Sequence, residues 1–493
     1  MSGVAVLSID IGSSSVRAGL YDQRAEPVPG TASHRAHRFS NIEGGGSEAD
    51  AESLFDLVVS CIDETAAAAP EGTRVVAAAT CTFLHGLLGV DGQGRAVTSI
   101  LTWADSRSQP QADGLAERLE PEEIRQRTGC PLHPVYYPAK IEWLRAARAD
   151  LFPRVAWWCS IGEYCLQRLT GARACSISLA AGTGLLERRS CAWDSEMLAA
   201  IGVDGAALSP LPPLAGPEAA ARLAQDFARR WPVLRDAAWL SPLGDNVCSS
   251  VGCGCDAPGK MALMIGTTGA LRLARAARVG EPAAPVPRGL WAYRMDAGRE
   301  LVGGVLGDGG SLFEWLTSSL HTGTPREQMD DELLAAPPAA HGLTVLPFLT
   351  GERSTGWNPK ARGAVIGIGP GTRPMDILQA GLEAVAYRFS AILQGLWTIE
   401  PSIPEVTGTG GALRASAAWG QILSDVLQLP LVVSDAVEAS SRGAAIFALR
   451  ARVIETEPRF PVLRTLTPRP GTAAAHLAAM REQERLLAAI YPR

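Results

Sequence analysis

The chain has 493 residues, of which 47% are hydrophobic and 19% are charged, and its formal net charge is −6. A chain of this length is expected to fold as two large domains, because single hydrophobic cores stop growing at about 250–300 residues. The mildly acidic balance and the lack of a dense Lys/Arg run argue against a nucleic-acid-binding surface. No uninterrupted apolar stretch of about 18 residues occurs, so we expect no membrane-spanning helix and no membrane contact.

Cysteine usage is typical of a reducing compartment. The ten cysteines are scattered, and the closest pair, Cys253 and Cys255, lacks the CxxC spacing of metal sites. Such usage favours reduced thiols. No basic and apolar leader precedes the strand predicted from Val4, so we expect no secretion signal. We therefore predict a cytoplasmic location.

The first predicted element is a β-hairpin with a polar turn. Residues 4–22 predict a strand, a tight turn over Gly12–Ser15 and a second strand. Backbone amides and hydroxyls converge in such a turn, which suits phosphate oxygens. Asp10 would repel a bare phosphate, so its position beside these donors suggests an intervening Mg²⁺, usually bound through water. An ordinary polar hairpin turn is the alternative, and Arg17 is either a phosphate contact or an exposed charge.

A predicted helix over residues 50–69 and a buried strand lead to a second polar region. It contains His85 and then Trp103, Asp105 and Arg107. In an extended segment these last three, which alternate, would share one side. A Trp ring packs against the C–H face of a sugar, and charged neighbours orient its hydroxyls. A core Trp beside a surface ion pair is the alternative interpretation.

The second half opens with a strand-to-helix turn at Asp245, before a helix predicted over residues 247–254. Side chains at such turns point into clefts, and a carboxylate there can remove the proton of a hydroxyl nucleophile. N-capping of the helix is the alternative, since Asp favours that position. We place the domain boundary near residue 243, which gives domains 1–243 and 244–493.

A second hairpin, over residues 260–273, repeats the plan of the first, with its turn at Gly266–Gly269. The repeat suggests an internal duplication, and two such turns imply a nucleotide held between two similar domains. A later glycine-rich turn, Gly410–Ala412, is no dinucleotide fingerprint, because Leu413 occupies the third glycine position. No GxxxxGK[ST] loop occurs either. Further helices are predicted over residues 375–397, 415–427 and 438–448.

These segments together resemble the FGGY family of carbohydrate kinases, in the family's order and over nearly the whole chain. The resemblance rests on Asp10–Ser15, Leu84–Gly86, Trp103-x-Asp105-x-Arg107, Gly244–Asp245, Gly266–Gly269 and Gly410–Ala412. It implies two actin-like (ribonuclease H-like) α/β ATPase domains, with mixed sheets flanked by helices and an interdomain cleft. It also implies transfer of the γ-phosphoryl group of ATP, with Mg²⁺, to a sugar hydroxyl.

The resemblance also implies roles for individual residues. Asp245 would be the general base, and Asp10 and Asp245 would hold Mg²⁺. The residues implied in sugar binding are His85, Trp103, Asp105, Arg107 and Asn246. The residues implied in ATP binding are Gly12, Ser13, Ser14, Ser15, Arg17, Gly266, Thr267, Thr268, Gly269, Gly309, Gly310, Gly410, Gly411 and Ala412.

Within the family the chain is most similar to gluconate kinases, in segments 101–108, 132–134, 269–272, 351–353 and 357–358. This similarity implies D-gluconate as substrate and 6-phosphogluconate as product. Arg272 would hold the substrate carboxylate or serve only the second hairpin. Asn246 is more similar to xylulose kinases, so xylulose or another ketose or polyol is the alternative substrate. A catalytically inactive nucleotide-binding sugar sensor is the alternative from another class, and a homodimer is a further expectation.

Overall fold

The computed structural model describes residues 3–212, 221–452, 454 and 457–492. The strands of the first half are β1 (Val4–Ile11), β2 (Ser15–Asp22), β3 (Ser33–Ala36), β4 (Ser40–Ile42), β5 (Gly46–Ala49), β6 (Arg74–Thr82), β7 (Leu88–Val90), β8 (Ile100–Leu101), β9 (Trp157–Cys159), β10 (Leu186–Glu187), β11 (Ala192–Trp193), β12 (Ala238–Trp239) and β13 (Leu243–Gly244). Its helices are α1 (Ala51–Ala67), α2 (Gln109–Arg118), α3 (Pro121–Thr128), α4 (Tyr137–Ala147), α5 (Ile161–Thr170), α6 (Ile177–Ala181), α7 (Ser195–Ala200), α8 (Gln225–Arg230) and α9 (Asp245–Gly252). Short 3₁₀ turns lie at Phe152–Arg154, Gly205–Ala207 and Pro232–Leu234.

The strands of the second half are β14 (Met261–Ile265), β15 (Gly269–Ala276), β16 (Trp291–Arg294), β17 (Arg299–Leu306), β18 (Thr344–Leu346), β19 (Ala364–Ile366), β20 (Val406–Thr409), β21 (Leu431–Ser434) and β22 (Val462–Leu466). Its helices are α10 (Gly310–Ser319), α11 (Arg326–Ala335), α12 (Pro374–Trp397), α13 (Gly411–Ala415), α14 (Ala417–Leu427), α15 (Ala439–Ala451) and α16 (Ala473–Ile490). Within the described ranges, no helix combines the length and the apolar character needed to cross a membrane.

The first half is built on a mixed sheet in the order β12-β6-β1-β2-β3, with β13 also paired to β6. Strands β1 and β2 form an antiparallel hairpin, and β6 runs parallel to β1. The central strand β1 is almost continuously apolar and buried, as expected for a strand covered on both faces. Helix α1 packs beside this hairpin, and the Asp50 carboxylate caps it by accepting a hydrogen bond from Ser53 N at 2.8 Å.

The second half repeats this plan in a sheet of order β16-β17-β15-β14-β20-β21-β22. Again an antiparallel hairpin, β14–β15, has its first strand paired in parallel with a later strand, β20. The shared plan agrees with the predicted duplication. The long helix α12 packs against this sheet and supplies much of its apolar core.

Helix α15 returns from the second half of the chain to the first sheet. It packs against β1, β6 and α9, which places it beside the helix that carries Asp245. The approach to α9 is close, because a Cβ on Gly443 would overlap the Cys248 carbonyl group and a Cβ on Gly252 would overlap that of Ala439. The C-terminal part of the chain therefore completes the core of the first half.

Some element boundaries differ from the sequence predictions. Helix α9 begins at Asp245, two residues earlier than predicted, and ends at Gly252. The helix predicted over 415–427 is divided at Ser416, where α13 ends and α14 begins with the Ser416 side chain as its cap. The domain boundary predicted near residue 243 falls within β13, and it stays a prediction.

Candidate active site

Asp245 is the first residue of α9, directly after β13. Gly244, and not Asp245, is the N-cap residue, so the capping interpretation of Asp245 is wrong. Burial raises the pKa of Asp245, while Arg272 and the backbone amides of Asn246 and Leu84 lower it. A carboxylate in the first turn of a helix is also stabilised by the helix dipole. The side chain is therefore a desolvated acid held in place by nearby donors.

Asp245 opens onto a pocket between the two halves, called here the Asp245 pocket. Its lining residues are Ser13, Leu84, His85, Trp103, Asp245, Asn246, Met264, Thr268, Ala270, Arg272, Trp291, Tyr293, Val305 and Arg353. The structure thus brings together predicted site residues from segments that are far apart in sequence. Sequence reasoning did not assign site roles to Trp291, Tyr293 or Arg353. Arg353 was included only as part of segment 351–353, which is similar to gluconate kinases. Its positive charge was the one feature of the sequence that could have indicated a binding role.

His85 is held rigidly at the wall of this pocket. Its backbone adopts φ 67°, and its Nδ1 lies 2.7 Å from the carbonyl oxygen of Gly182, to which it donates. Its ring also meets those of Tyr136 and Tyr293 edge-on, with centroids 5.1 and 6.1 Å away. Burial lowers the pKa of His85 to about 3. The imidazole is therefore neutral near neutral pH and offers hydrogen bonds without charge.

Trp103 links three parts of the site. Its indole Nε1 donates a hydrogen bond to the Ser13 hydroxyl in the β1–β2 turn at 2.9 Å. Its backbone oxygen accepts a hydrogen bond from Arg353 at 3.3 Å, and that guanidinium lies over the indole ring. One side chain therefore contacts the first turn, the pocket and a loop of the second half.

A buried lysine supports the segments that carry His85 and Trp103. The Lys140 ammonium group, fully buried on α4, donates to three backbone carbonyls. These belong to His85, Leu101 and Thr102, at 2.6, 3.2 and 2.7 Å. Because all three lie in or next to the pocket wall, Lys140 ties the two segments to one helix.

Asp105 and Arg107 lie outside the residues that line the Asp245 pocket. Arg107 pairs with Asp105 and with Glu48, and its guanidinium stacks on Trp143 at 4.3 Å. Asp105 is buried and also accepts a hydrogen bond from the Ser47 amide at 3.0 Å. Both side chains are engaged in holding the loop after β8, and their roles in sugar binding stay predictions.

The β1–β2 turn is closed by a hydrogen bond from the Gly12 amide to the Ser15 carbonyl at 2.9 Å. Ser14 is exposed, whereas the Ser15 hydroxyl is buried and lacks a hydrogen-bond partner among the described residues. Arg17 lies 4.0 Å from the Asp10 carboxylate and 3.4 Å from that of Glu438. The turn therefore places the hydroxyls of Ser14 and Ser15 near the charged side chains of Asp10, Arg17 and Glu438.

Asp10 is 5% exposed at the end of β1. Burial raises its pKa to about 6; Asp245 and Glu438 add to the rise and Arg17 opposes it. Asp10 and Asp245 are therefore close enough to repel each other electrostatically. In the described part of the chain, no group of three His, Cys, Asp or Glu residues could hold a metal ion by itself.

The second turn packs on the start of α10. The Gly310 amide donates to the Gly266 carbonyl at 2.7 Å, and the Gly309 amide donates to that of Thr267 at 3.0 Å. A Cβ on Gly310 would lie 2.5 Å from the Gly266 oxygen, so this approach needs glycine. Thr268, at the same turn, lines the Asp245 pocket.

A second pocket, called here the Trp419 pocket, lies in the second half of the chain. Its lining residues are Gly266, Thr267, Gly310, Phe313, Glu314, Arg326, Glu327, Met329, Asp330, Leu333, Gly411, Ala412, Ala415, Ser416 and Trp419. Five predicted ATP-binding residues therefore share one pocket, and Thr268 lies between it and the Asp245 pocket. The predicted residues that line neither pocket are Asp10, Gly12, Ser14, Ser15, Arg17, Asp105, Arg107, Gly269, Gly309 and Gly410.

Comparison with known proteins gives a consistent result. The N-terminal domain model of the FGGY family of carbohydrate kinases matches residues 5–252, and the C-terminal domain model matches residues 261–452. A gluconokinase of Bacillus subtilis (strain 168) is 26% identical over 457 residues, which cover 90% of this chain and 87% of the relative. A xylulose kinase of Streptomyces rubiginosus is 28% identical over 456 residues, covering 90% and 87%.

The crystal structure of gluconate kinase from Lactobacillus acidophilus superposes with a TM-score of 0.89 at 22% identity. The match covers 99% of this chain and 98% of that chain. At this identity the superposition shows a shared fold.

Proposed function

As this chain belongs to the FGGY family of carbohydrate kinases, we propose that the sugar it phosphorylates is D-gluconate, which yields 6-phosphogluconate. The family resemblance and the mixed α/β fold expected from the sequence are confirmed. The protein is an ATP-dependent sugar kinase. A cytoplasmic location and a homodimer stay predictions.

One observation carries the choice of a sugar acid. The Asp245 pocket contains a single acidic side chain, Asp245, and two guanidinium groups, those of Arg272 and Arg353. A pocket whose cations outnumber its carboxylates favours an acceptor that brings a negative charge. The gluconokinase relative, which matches over 90% of this chain, supports the same choice.

Asp245 is the proposed general base. A sugar hydroxyl is a poor nucleophile near neutral pH, and a carboxylate within hydrogen-bond reach takes its proton as the phosphoryl group transfers. The neighbouring Asn246 is buried, and its Nδ2 has no hydrogen-bond partner among the described residues. That amide can donate to another acceptor hydroxyl and orient the one that reacts.

The proposed nucleotide site is the Trp419 pocket together with the two glycine-rich turns. Its apolar wall, with Phe313 and Trp419, suits a purine ring, and the backbone amides of the turns suit the phosphates. The start of α10 lies against the second turn and fixes its shape, because the amides of Gly309 and Gly310 donate to carbonyls of that turn.

Asp10 fits a water-bridged Mg²⁺. Burial raises its pKa to about 6, Arg17 lowers it, and Asp245 and Glu438 raise it further, so a bound cation would favour the ionised carboxylate. Mg²⁺ is usually held by one or two carboxylates, waters and substrate phosphates rather than by an all-protein cage. When bound, the ion would neutralise charge on the phosphates.

The test is a coupled ADP-release assay with MgATP against D-gluconate, D-xylulose and glycerol, with the product identified by phosphorus NMR. We expect rapid turnover on gluconate and a phosphate on its terminal hydroxyl. The second candidate, a xylulose kinase, is favoured by Asn246 beside Asp245, and turnover on xylulose alone would establish it. ATP binding without turnover on any acceptor would support the sugar sensor instead.

A further inference from the structure

A guanidinium that forms no ion pair among the described residues lies at the wall of the Asp245 pocket. Arg353 comes from the segment between β18 and β19. Its Nη2 donates to the Trp103 carbonyl at 3.3 Å, and its guanidinium carbon is 5.0 Å from the centre of the indole ring. In the described part of the chain Arg353 forms no ion pair with an Asp or Glu. Most of its hydrogen-bonding capacity is therefore unused.

The second guanidinium of the pocket, that of Arg272, is already matched. Its Nη1 donates to the Ser249 hydroxyl at 2.7 Å and to the Asn246 carbonyl at 3.3 Å, both on α9. Asp245 provides the opposing charge. Its Nε has no partner in the described residues, but its charge and Nη1 hold α9 in place.

Among the described residues that line the pocket, none besides Asp245 is acidic, and the carboxylate that attracts Arg353, that of Asp308, lies outside this lining. The His85 imidazole is neutral near neutral pH, since burial lowers its pKa to about 3. Tyr293 stays protonated, because burial raises its pKa well above the usual range. Asp245 faces Arg272, whereas the Asp308 carboxylate accepts hydrogen bonds from Thr350 and Ser311 and forms no ion pair with Arg353 in the described part of the chain. Arg353 therefore keeps donors that an anion in the pocket could use.

We propose that Arg353 binds the carboxylate of the acceptor and makes the pocket select sugar acids over neutral sugars. The inference rests on the proposed function, in which the acceptor is an aldonate. A guanidinium offers a planar fork that matches a carboxylate with two parallel hydrogen bonds. The Trp103 ring holds the fork by stacking, and the ring also packs against the acceptor. The specificity for an acid thus comes from the second half of the chain.

The phosphate groups of ATP are the other anion that could reach a cation here. Thr268, at the turn proposed to hold phosphates, lines the same pocket. Arg353 stacks on Trp103, and the Trp103 indole also donates to Ser13 of the first turn proposed to hold phosphates. The experiment therefore measures the two substrates separately.

The test compares two acceptors of the same shape, D-gluconate and its neutral amide D-gluconamide, in wild type and in Arg353→Leu. Arg353→Leu removes the charge-assisted pair between the guanidinium and the gluconate carboxylate. We expect this variant to raise the KM for gluconate about 10- to 100-fold and to leave the KM values for gluconamide and for ATP nearly unchanged. Arg353→Lys keeps the charge but loses the fork, and should show a smaller rise in the gluconate KM.

The matched control is Arg278→Leu, which removes the same charge from a side chain that is 80% exposed. It should leave both acceptor KM values unchanged. Thermal unfolding and calorimetric ATP binding establish that each variant is folded. If Arg353→Leu is unstable, the comparison of Arg353→Lys with wild type carries the test.

The outcomes separate the two proposals. Equal rises for gluconate and gluconamide, or a rise confined to the KM for ATP, would overturn the role of Arg353 while leaving a gluconate kinase intact. Wild-type turnover on neutral sugars only would overturn the substrate proposal and this inference together. A selective rise for gluconate supports both.

Discussion

At the scale of single residues, the site depends on two acids whose charges are set by their surroundings. Asp10 and Asp245 are both desolvated, and the charge of Asp245 helps raise the pKa of Asp10 to about 6. A nearby arginine lowers the pKa of each acid, Arg17 that of Asp10 and Arg272 that of Asp245. The burial that sets the pKa values of these two carboxylates therefore also destabilises the folded protein.

Asp245→Asn tests the general base. An amide cannot accept the hydroxyl proton, so we expect kcat to fall about 10²- to 10⁴-fold. Because Asn has nearly the same shape, acceptor and ATP should still bind, as calorimetry would measure. Unchanged kcat would remove Asp245 from the role of base.

Asp10→Asn tests how much the buried, ionised carboxylate of Asp10 lowers the free energy of unfolding. The folded-state pKa of Asp10, about 6, lies above its unfolded value of 3.8. The folded state therefore binds more protons between these values, and this group destabilises the protein progressively as pH rises through the folded pKa. An Asn does not ionise, so the variant should be more stable than wild type by up to about 3 kcal/mol at about pH 7.5, and almost equal at about pH 4.

The measurement is urea unfolding of the protein without nucleotide or Mg²⁺ at both pH values. Asp56→Asn, at an exposed position on α1, is the control for loss of a charge alone. Equal stability of Asp10→Asn and wild type at the higher pH would contradict the assigned burial effect. Turnover should be lost in this variant, since the proposed contact to Mg²⁺ needs the carboxylate.

At the scale of elements, the glycines of the phosphate turns are constrained by their neighbours. Gly410 ends β20 with φ 101°, and a Cβ there would overlap the Ile265 carbonyl group. The next residue, Gly411, has open space around its Cβ position. A side chain is therefore accommodated at Gly411 but not at Gly410, although the two glycines are adjacent in one turn.

Gly410→Ala should displace α13 from β14 and raise the KM for ATP, with a loss of stability of about 1–3 kcal/mol. Gly411→Ala, the matched control for packing, should change the stability little, because Ala suits the first turn of a helix. Steady-state kinetics and thermal unfolding measure the two effects. Equal behaviour of the two variants would contradict the close packing of this turn.

At the scale of the whole molecule, the two halves depend on each other. Helix α15 belongs to the second half of the chain, yet it packs on β1, β6 and α9 of the first. In addition, the Ser8 hydroxyl on β1 donates to the Ser441 carbonyl of α15 at 2.7 Å. The position of Asp245 therefore depends on residues about 200 positions later.

Gly443→Ala should push α15 away from α9, because the added Cβ meets the backbone of Cys248. We expect a loss of about 1–3 kcal/mol in the free energy of unfolding, together with a lower kcat, since α9 carries Asp245. Gly114→Ala on α2, where nothing lies within 4 Å of the added Cβ, is the control and should stabilise slightly. Normal kcat in Gly443→Ala would contradict the coupling of α15 to the site.

The amino-acid sequence by itself determined the hairpins, the glycine-rich turns and the strand-to-helix turn at Asp245. These features depend on residues next to one another in the chain, on alternation, glycine and short polar side chains, so local patterns are sufficient. It also indicated the family, because motifs separated by fixed distances occurred in order.

Only the tertiary structure decided which side chains meet. The alternation of Trp103, Asp105 and Arg107 predicted one shared side, but Asp105 and Arg107 pair with each other while Trp103 faces the pocket. Arg353 reaches Trp103 over 250 positions, and Lys140 reaches three carbonyls of the pocket segments. The raised pKa of Asp10 likewise comes from burial and from the charges of Asp245 and Glu438, which are distant in sequence. Such contacts depend on how the sheets and helices pack, and spacing along the chain does not contain that information.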